Sequence, residues 1–176
     1  PLSLHDALPI CLVLTTMCRD NAFRFMALGH LLERADMTTR IIDVGAGALL
    51  GTGRNNQTID PLIWGSILQS LSAVSTYRRT VGPLPEANQV VEFIFKEPTL
   101  PRSLQFCLNS IRGELKQLHN NTIPLKALER ARRRLKRFNV EKASWEELHQ
   151  FIDDIQVDLY NLGETIIETW FQIEPA

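Results

Sequence analysis

The residues of this chain with most capacity for chemistry lie in one short stretch, "GHLLERADMTTRIID", residues 29–43. It places Gly29, Glu33, Asp36, Arg40 and Asp43 at spacings of four, three, four and three. At about 100° per residue, those spacings bring all five onto one stripe of a helix. Carboxylates beside a guanidinium can hold a proton, grip an anionic group, or neutralise one another. Arg34 stands about 100° around from Glu33, so this helix alone cannot aim both into one pocket. Arg40, four residues after Asp36 and seven after Glu33, is the natural intrahelical partner of the acids. If the stripe is a solvated helix edge, each such pair contributes roughly a few tenths of a kcal/mol. If it is buried against another helix, an unpaired carboxylate is costly and the network must be nearly complete. Gly29 would then let a neighbouring backbone approach closely. Under the buried reading, Glu33, Arg34, Asp36 and Arg40 are the candidate catalytic or site-forming residues.

The elements that must position them read as helices. Asp20 is a plausible N-cap for a helix running to about Ala46. Leu28, Leu31, Leu32, Ala35, Thr39 and Ile42 share one face of it, and Phe23, Met26, Met37, Ile41 and Val44 share nearly the opposite one. A helix apolar on two faces is expected to be packed on both sides. "GAGALLGTGRNNQT" reads as a loop. Asp60-Pro61 starts a second helix, expected to run to about Arg79. Gly82-Pro83 breaks it, and Pro85 reopens a shorter helix through "VVEFIF". A further helix starts at Pro101, a basic one at Pro124, and a last one at the capping box Ser144 to Glu147, reaching about Trp170. Six helices joined by short Pro/Gly breaks predict an all-α bundle.

Several function classes are disfavoured. A net charge of −1 gives no global field for nucleic acid or membranes. No apolar run approaches the roughly 20 residues that span a bilayer. Cys11, Cys18 and Cys107 are an odd set without a C-x-x-C pair, which fits a reducing compartment, with the cytoplasm as default. There is no H-E-x-x-H, no G-x-S-x-G and no phosphate loop after a strand; "GAGALLGTG" follows a helix and lacks the Lys-Ser/Thr ending. Glu164 and Glu168 sit one turn apart but lack the Glu-x-x-His companions of helical di-metal sites. No metal and no cofactor is expected.

Two basic features remain. "LERARRRLKRF" places Arg130, Arg133, Arg134 and Arg137, with Arg132 and Lys136, opposite Ala127, Leu128, Ala131, Leu135 and Phe138. This is an amphipathic helix with a solvated charged face, or a docking surface for an acidic partner. Arginine rather than lysine favours two-pronged contacts to carboxylate or phosphate. Arg102-Ser103 lies at a helix start, where free backbone N–H groups can receive an anion; the plainer reading makes Ser103 a cap.

Taken together, "TMCRDNAFRFMALGHLLERADMTTRIIDV", "DPLIWGSILQSLSAVSTYRR", "VVEFIFKEPTLPRSLQFCLNSIRGEL" and "NLGETIIETWF" resemble the Alpha-E family. This is an all-helical bacterial family of unknown function named for its Glu-Arg motif, and the resemblance covers about residues 15 to 172. "LERADMTTRI" and "PRSLQFC" carry most of it. The family has two Glu-Arg copies, and Glu33-Arg34 is similar to the second. The resemblance implies a circularly permuted ATP-grasp protein as partner, transglutaminase-like peptidases as neighbours, and an accessory role in peptide or amide-bond formation or modification. It also leaves open a catalytic site shared between the two Glu-Arg copies, or a purely structural module. Leu2 to Ile10 match the translation of a common sequencing-library adapter, so residues 1–10 are set aside and 11–176 are expected to be the C-terminal part of a longer protein. Such a piece should expose an apolar helix face larger than monomers usually show.

Overall fold

The computed structural model describes residues 15–51 and 60–172, with the side chains of all but 48–51 and 60. The adapter-like residues 1–10 and the second half of the predicted glycine- and asparagine-rich loop, residues 52–58, lie outside the described residues, while its first half, 45–51, is helix. Seven helices are described: α1 (Asn21–Gly51), α2 (Asp60–Ser70), α3 (Val74–Thr80), α4 (Ala87–Lys96), α5 (Leu104–Leu115), α6 (Thr122–Arg137) and α7 (Trp145–Trp170). The described residues contain no strand, so the chain is an all-α bundle. "VVEFIF" lies inside α4, where Val90, Val91, Phe93, Ile94 and Phe95 are all buried.

The caps form as their residue types require. Asp20 Oδ1 accepts from the Phe23 backbone N–H at 3.1 Å, opening α1. At α7 the capping box is complete: Ser144 Oγ accepts from Glu147 N at 3.2 Å, and Glu147 Oε2 accepts from Ser144 N at 2.7 Å. Helix α6 starts two residues before Pro124. Asn121 spends its side-chain amide on the Leu115 and Leu118 carbonyls at the end of the preceding helix. Helix α1 outruns the predicted end near Ala46 and reaches Gly51.

The segment expected as one helix from residue 60 to 79 is two. Ser72 adopts a left-handed φ of 53°. Its N–H donates to the Gln69 carbonyl, and the Ala73 N–H donates to Leu68 at 2.8 Å. That pair of bonds is the Schellman termination, and Leu68 and Ala73 are both buried beside it. The stop is hidden because a serine, not a glycine, takes the left-handed position while the apolar period runs on.

Helices α1, α5 and α7 form the centre, α6 packs against α5 and α7, and α2 to α4 close one end. Leu28, Ala35 and Ile42 of α1 meet Leu104, Leu108 and Ile111 of α5 and Ile152, Ile155 and Leu162 of α7 in one buried cluster. Two threonines lock α1 in place. Thr38 Oγ1 donates to the Arg102 carbonyl at 2.9 Å, and the buried Thr39 hydroxyl accepts from Gln156 Nε2 at 3.2 Å. Trp64 of α2 is wholly buried and stacks on Trp145 at 6.0 Å between centroids. The third tryptophan, Trp170, meets Phe25 edge-on and donates its indole N–H to the His119 carbonyl at 3.0 Å.

The close approach expected at Gly29 is absent. Gly29 is exposed, and a Cβ built there meets nothing within 4 Å. The tight glycine of α1 is Gly45, where a Cβ would run into the Ile67 side chain of α2. Gly29→Ala should therefore raise stability by about 0.5–1 kcal/mol, the helix-propensity difference, with no steric penalty. An unchanged or lowered urea midpoint would show a contact there that the described residues do not contain.

Candidate functional site

The acidic stripe of α1 lies at the edge of the bundle. Glu33 and Arg34 are exposed, and they diverge around the helix as their adjacency requires. Glu33 forms no hydrogen bond or ion pair among the described residues. The positive charge of Arg34 acts weakly on the Cys107 thiol of α5. That thiol is fully buried, and desolvation pushes its pKa up to about 11 despite Arg34, so at neutral pH it is an inert apolar side chain. Arg40 Nε donates to Asp36 Oδ2 at 2.7 Å, one turn back, with side-chain exposures of 60% and 33%. This pair raises the pKa of Arg40, first through the hydrogen bond and then through the charge of Asp36. The stripe is thus a helix edge held by an ordinary pair, which is the first of the two alternatives that its spacing allowed.

The expectation that α1 is covered on both apolar faces fails on one side. The Leu28, Ala35 and Ile42 face is buried. On the other, Met37 is 50% exposed and Val44 73% exposed. Helix α2 covers only part of that face, and its Leu62 is 69% exposed. Between α1 and α2 runs an apolar groove of about 630 Å³, lined among others by Met37, Ile41, Val44, Leu62 and Ile63, with Arg40 on its rim. The stripe therefore borders an open apolar surface instead of a dry seam.

The last member of the stripe, Asp43, acquires a partner that sequence spacing did not suggest. His149 of α7 places Nδ1 2.6 Å from Asp43 Oδ1 and Nε2 3.8 Å from Asp153 Oδ2. The hydrogen bond to Asp43, its charge and that of Asp153 all hold the His149 pKa above its usual value. A histidine whose pKa is raised in the fold stabilises it fully below the unfolded value. That contribution is lost as pH climbs through the raised folded value. In an NMR titration, His149 should have a midpoint above the ordinary value of about 6.5, and Asp43→Asn should return it toward that value. A midpoint unmoved by Asp43→Asn would mean that the contact does not persist in solution. The two residues are far apart in sequence, and only the antiparallel packing of α1 on α7 joins them.

The remaining candidates separate clearly. Ser103 is fully buried: its hydroxyl donates to the Glu97 carbonyl at 2.5 Å and accepts from Phe106 N at 3.0 Å. Its oxygen is committed as a cap and is closed off from any anion, while the neighbouring Arg102 side chain is exposed. Glu164 and Glu168 are both exposed, and among the described residues no group of three His, Cys, Asp or Glu is placed to hold a metal ion. Arg130, Arg133, Arg134 and Arg137 all line one groove of about 600 Å³ between α6 and α7. Of these, Arg134 is internally engaged, donating to Asp158 Oδ2 at 2.8 Å and to Asp154 Oδ2 at 2.5 Å. The Asp158 hydrogen bond is the main cause of its raised pKa, over the opposing effect of burial. Arg134 therefore holds the groove together and is not a free docking residue. Asp158, buried at 3% exposure, is a structural acid that periodicity alone had no means to single out.

The family model for a predicted alpha-helical domain with a conserved ER motif matches residues 11–171. The chain belongs to the Alpha-E family. No curated protein and no solved structure matches it. In this Alpha-E chain the Glu-Arg dipeptide occurs at Glu33-Arg34 and at Glu129-Arg130. At Glu129-Arg130, in a basic segment without the family pattern, Glu129 Oε1 receives Arg132 at 2.7 Å and Arg112 at 3.2 Å, so that glutamate ties α6 to α5. Glu33 has no comparable tie. Of the two, it is the one left available at the surface. None of the described helices of the Alpha-E domain is long and apolar enough to cross a membrane.

Proposed function

We propose that this Alpha-E chain is a non-catalytic helical partner of a circularly permuted ATP-grasp ligase acting in peptide or amide-bond formation or modification. The observation that supports the reading is the open groove between α1 and α2. Met37, Val44 and Leu62 together leave an apolar surface in water, beside the Asp36–Arg40 pair. Contiguous apolar surface rimmed by polar groups is characteristic of a protein–protein contact. The identity of the partner comes from the family resemblance. In this reading the chain and its ligase work in the cytoplasm, and a transglutaminase-like peptidase is a further candidate partner. A catalytic role for Glu33 has less support, because an exposed carboxylate with no partner lacks the enclosure and orientation that general acid–base work requires.

Co-purification with a circularly permuted ATP-grasp ligase tests this directly. Leu62→Asp puts a charge on an exposed apolar position and should abolish the complex while leaving the fold intact. Glu33→Gln and Arg40→Ala should be assayed separately for complex formation and turnover. Loss of turnover in Glu33→Gln with the complex unchanged would replace the non-catalytic reading with a shared catalytic site.

A further inference from the structure

A second surface of the molecule has a definite chemistry. Along α6, Arg130, Arg133 and Arg137 recur at three and four residues, and all three are exposed. Helix α7 brings Glu147 and Asp154 to the same groove, yet these acids do not neutralise them. Glu147 is spent on the Ser144 N–H of its own capping box. Asp154 is spent on Arg134 and on Gln150, which donates to it at 3.1 Å. Among the described residues, Arg130, Arg133 and Arg137 form no ion pair. Three uncompensated guanidinium groups within two turns repel one another by about a few tenths of a kcal/mol per pair, and a bound carboxylate would relieve that repulsion. The groove also has an aromatic floor, where Phe138 stacks on Phe151 with centroids 4.0 Å apart.

From this arrangement we infer that the α6–α7 groove binds an acidic peptide segment of a partner protein, one that interleaves carboxylates with an apolar side chain. Guanidinium forks match carboxylates in a planar, two-pronged geometry. The Phe138 and Phe151 rings provide the seat for the apolar side chain. A nucleic-acid backbone suits the groove less well. It offers no apolar side chain for the aromatic floor, and the chain as a whole carries a net charge of −1, without the strong positive field that a phosphate backbone attracts. The groove shares no lining residue with the one between α1 and α2, so the inference stands whether or not the partner is an ATP-grasp ligase.

The test is fluorescence anisotropy with the full chain and a short labelled peptide alternating glutamate with leucine and phenylalanine. The wild-type chain should bind it, and a peptide with glutamine for every glutamate should not bind. Arg133→Gln should weaken binding about tenfold, as loss of a charge-assisted contact does. The triple variant Arg130→Gln, Arg133→Gln, Arg137→Gln should abolish it, with unchanged circular dichroism. Arg79→Gln, an exposed arginine on α3, should bind as wild type. The inference is overturned if the wild-type chain ignores the peptide, or if Arg79→Gln loses as much affinity as Arg133→Gln. It is equally overturned if a single-stranded oligonucleotide of equal charge binds as tightly as the peptide. None of these outcomes bears on the Leu62→Asp experiment, so the two readings fail separately.

Discussion

Replacing Arg134 with alanine is expected to destabilise the fold by about 3 kcal/mol, because it strands the buried Asp158 carboxylate. Asp158 is 3% exposed, on the buried face of α7 among Ile155, Leu159 and Leu162. Its Oδ2 accepts from Arg134 Nε at 2.8 Å. Breaking a buried pair from one side costs roughly 3–5 kcal/mol. The Arg134 side chain is itself 34% exposed, so water can follow it into the gap, which places the cost near the lower end. Asp158→Ala should cost less, since Arg134 would keep Asp154. The double replacement Arg134→Met with Asp158→Leu should come within about 1 kcal/mol of wild type, as apolar substitutes for buried pairs often do. Urea unfolding of the four proteins is the measurement. A wild-type midpoint for Arg134→Ala would mean that Asp158 is hydrated in solution and that the pair does not clamp α6 to α7.

The other large effect is at Trp64. Its side chain is wholly buried, stacks on Trp145, and approaches α1 at Gly45. Trp64→Ala should cost about 4 kcal/mol through lost burial and the cavity left behind. Trp64→Phe should cost only about 1 kcal/mol, less than the lost area alone suggests. The reason is that the indole Nε1–H is buried without an acceptor among the described residues, and phenylalanine removes that unsatisfied donor. Thermal unfolding of both variants separates packing from hydrogen bonding. If Trp64→Phe destabilised as much as Trp64→Ala, the indole N–H would have to be satisfied by a group outside the described residues.

Sequence reading succeeds where the signal is local. The Ser144–Glu147 box and the Asp20 cap are local signals: residues a few positions apart bond to one another whatever the rest of the chain does. Apolar periodicity identified the buried faces of α5, α6 and α7 for the same reason, since a helix fixes which side chains share a face. It misread residues 60–79, where an unsignalled left-handed serine ends α2.

By itself, the sequence determined that the fold is an all-α bundle, where most helices begin, which faces are apolar, and that it belongs to the Alpha-E family. It also determined that Glu33 and Arg34 must diverge, because adjacent residues on a helix always do. Only the tertiary structure decided which of the two apolar faces of α1 is buried, and that Met37 and Val44 are left in water. It alone paired Asp43 with His149, turned Arg134 inward onto Asp158, and left Arg130, Arg133 and Arg137 facing outward. Spacing along one helix sets the direction of a side chain relative to its own axis. Whether that direction meets protein or solvent depends on the neighbouring helices and their offset along it, and those come from remote parts of the chain.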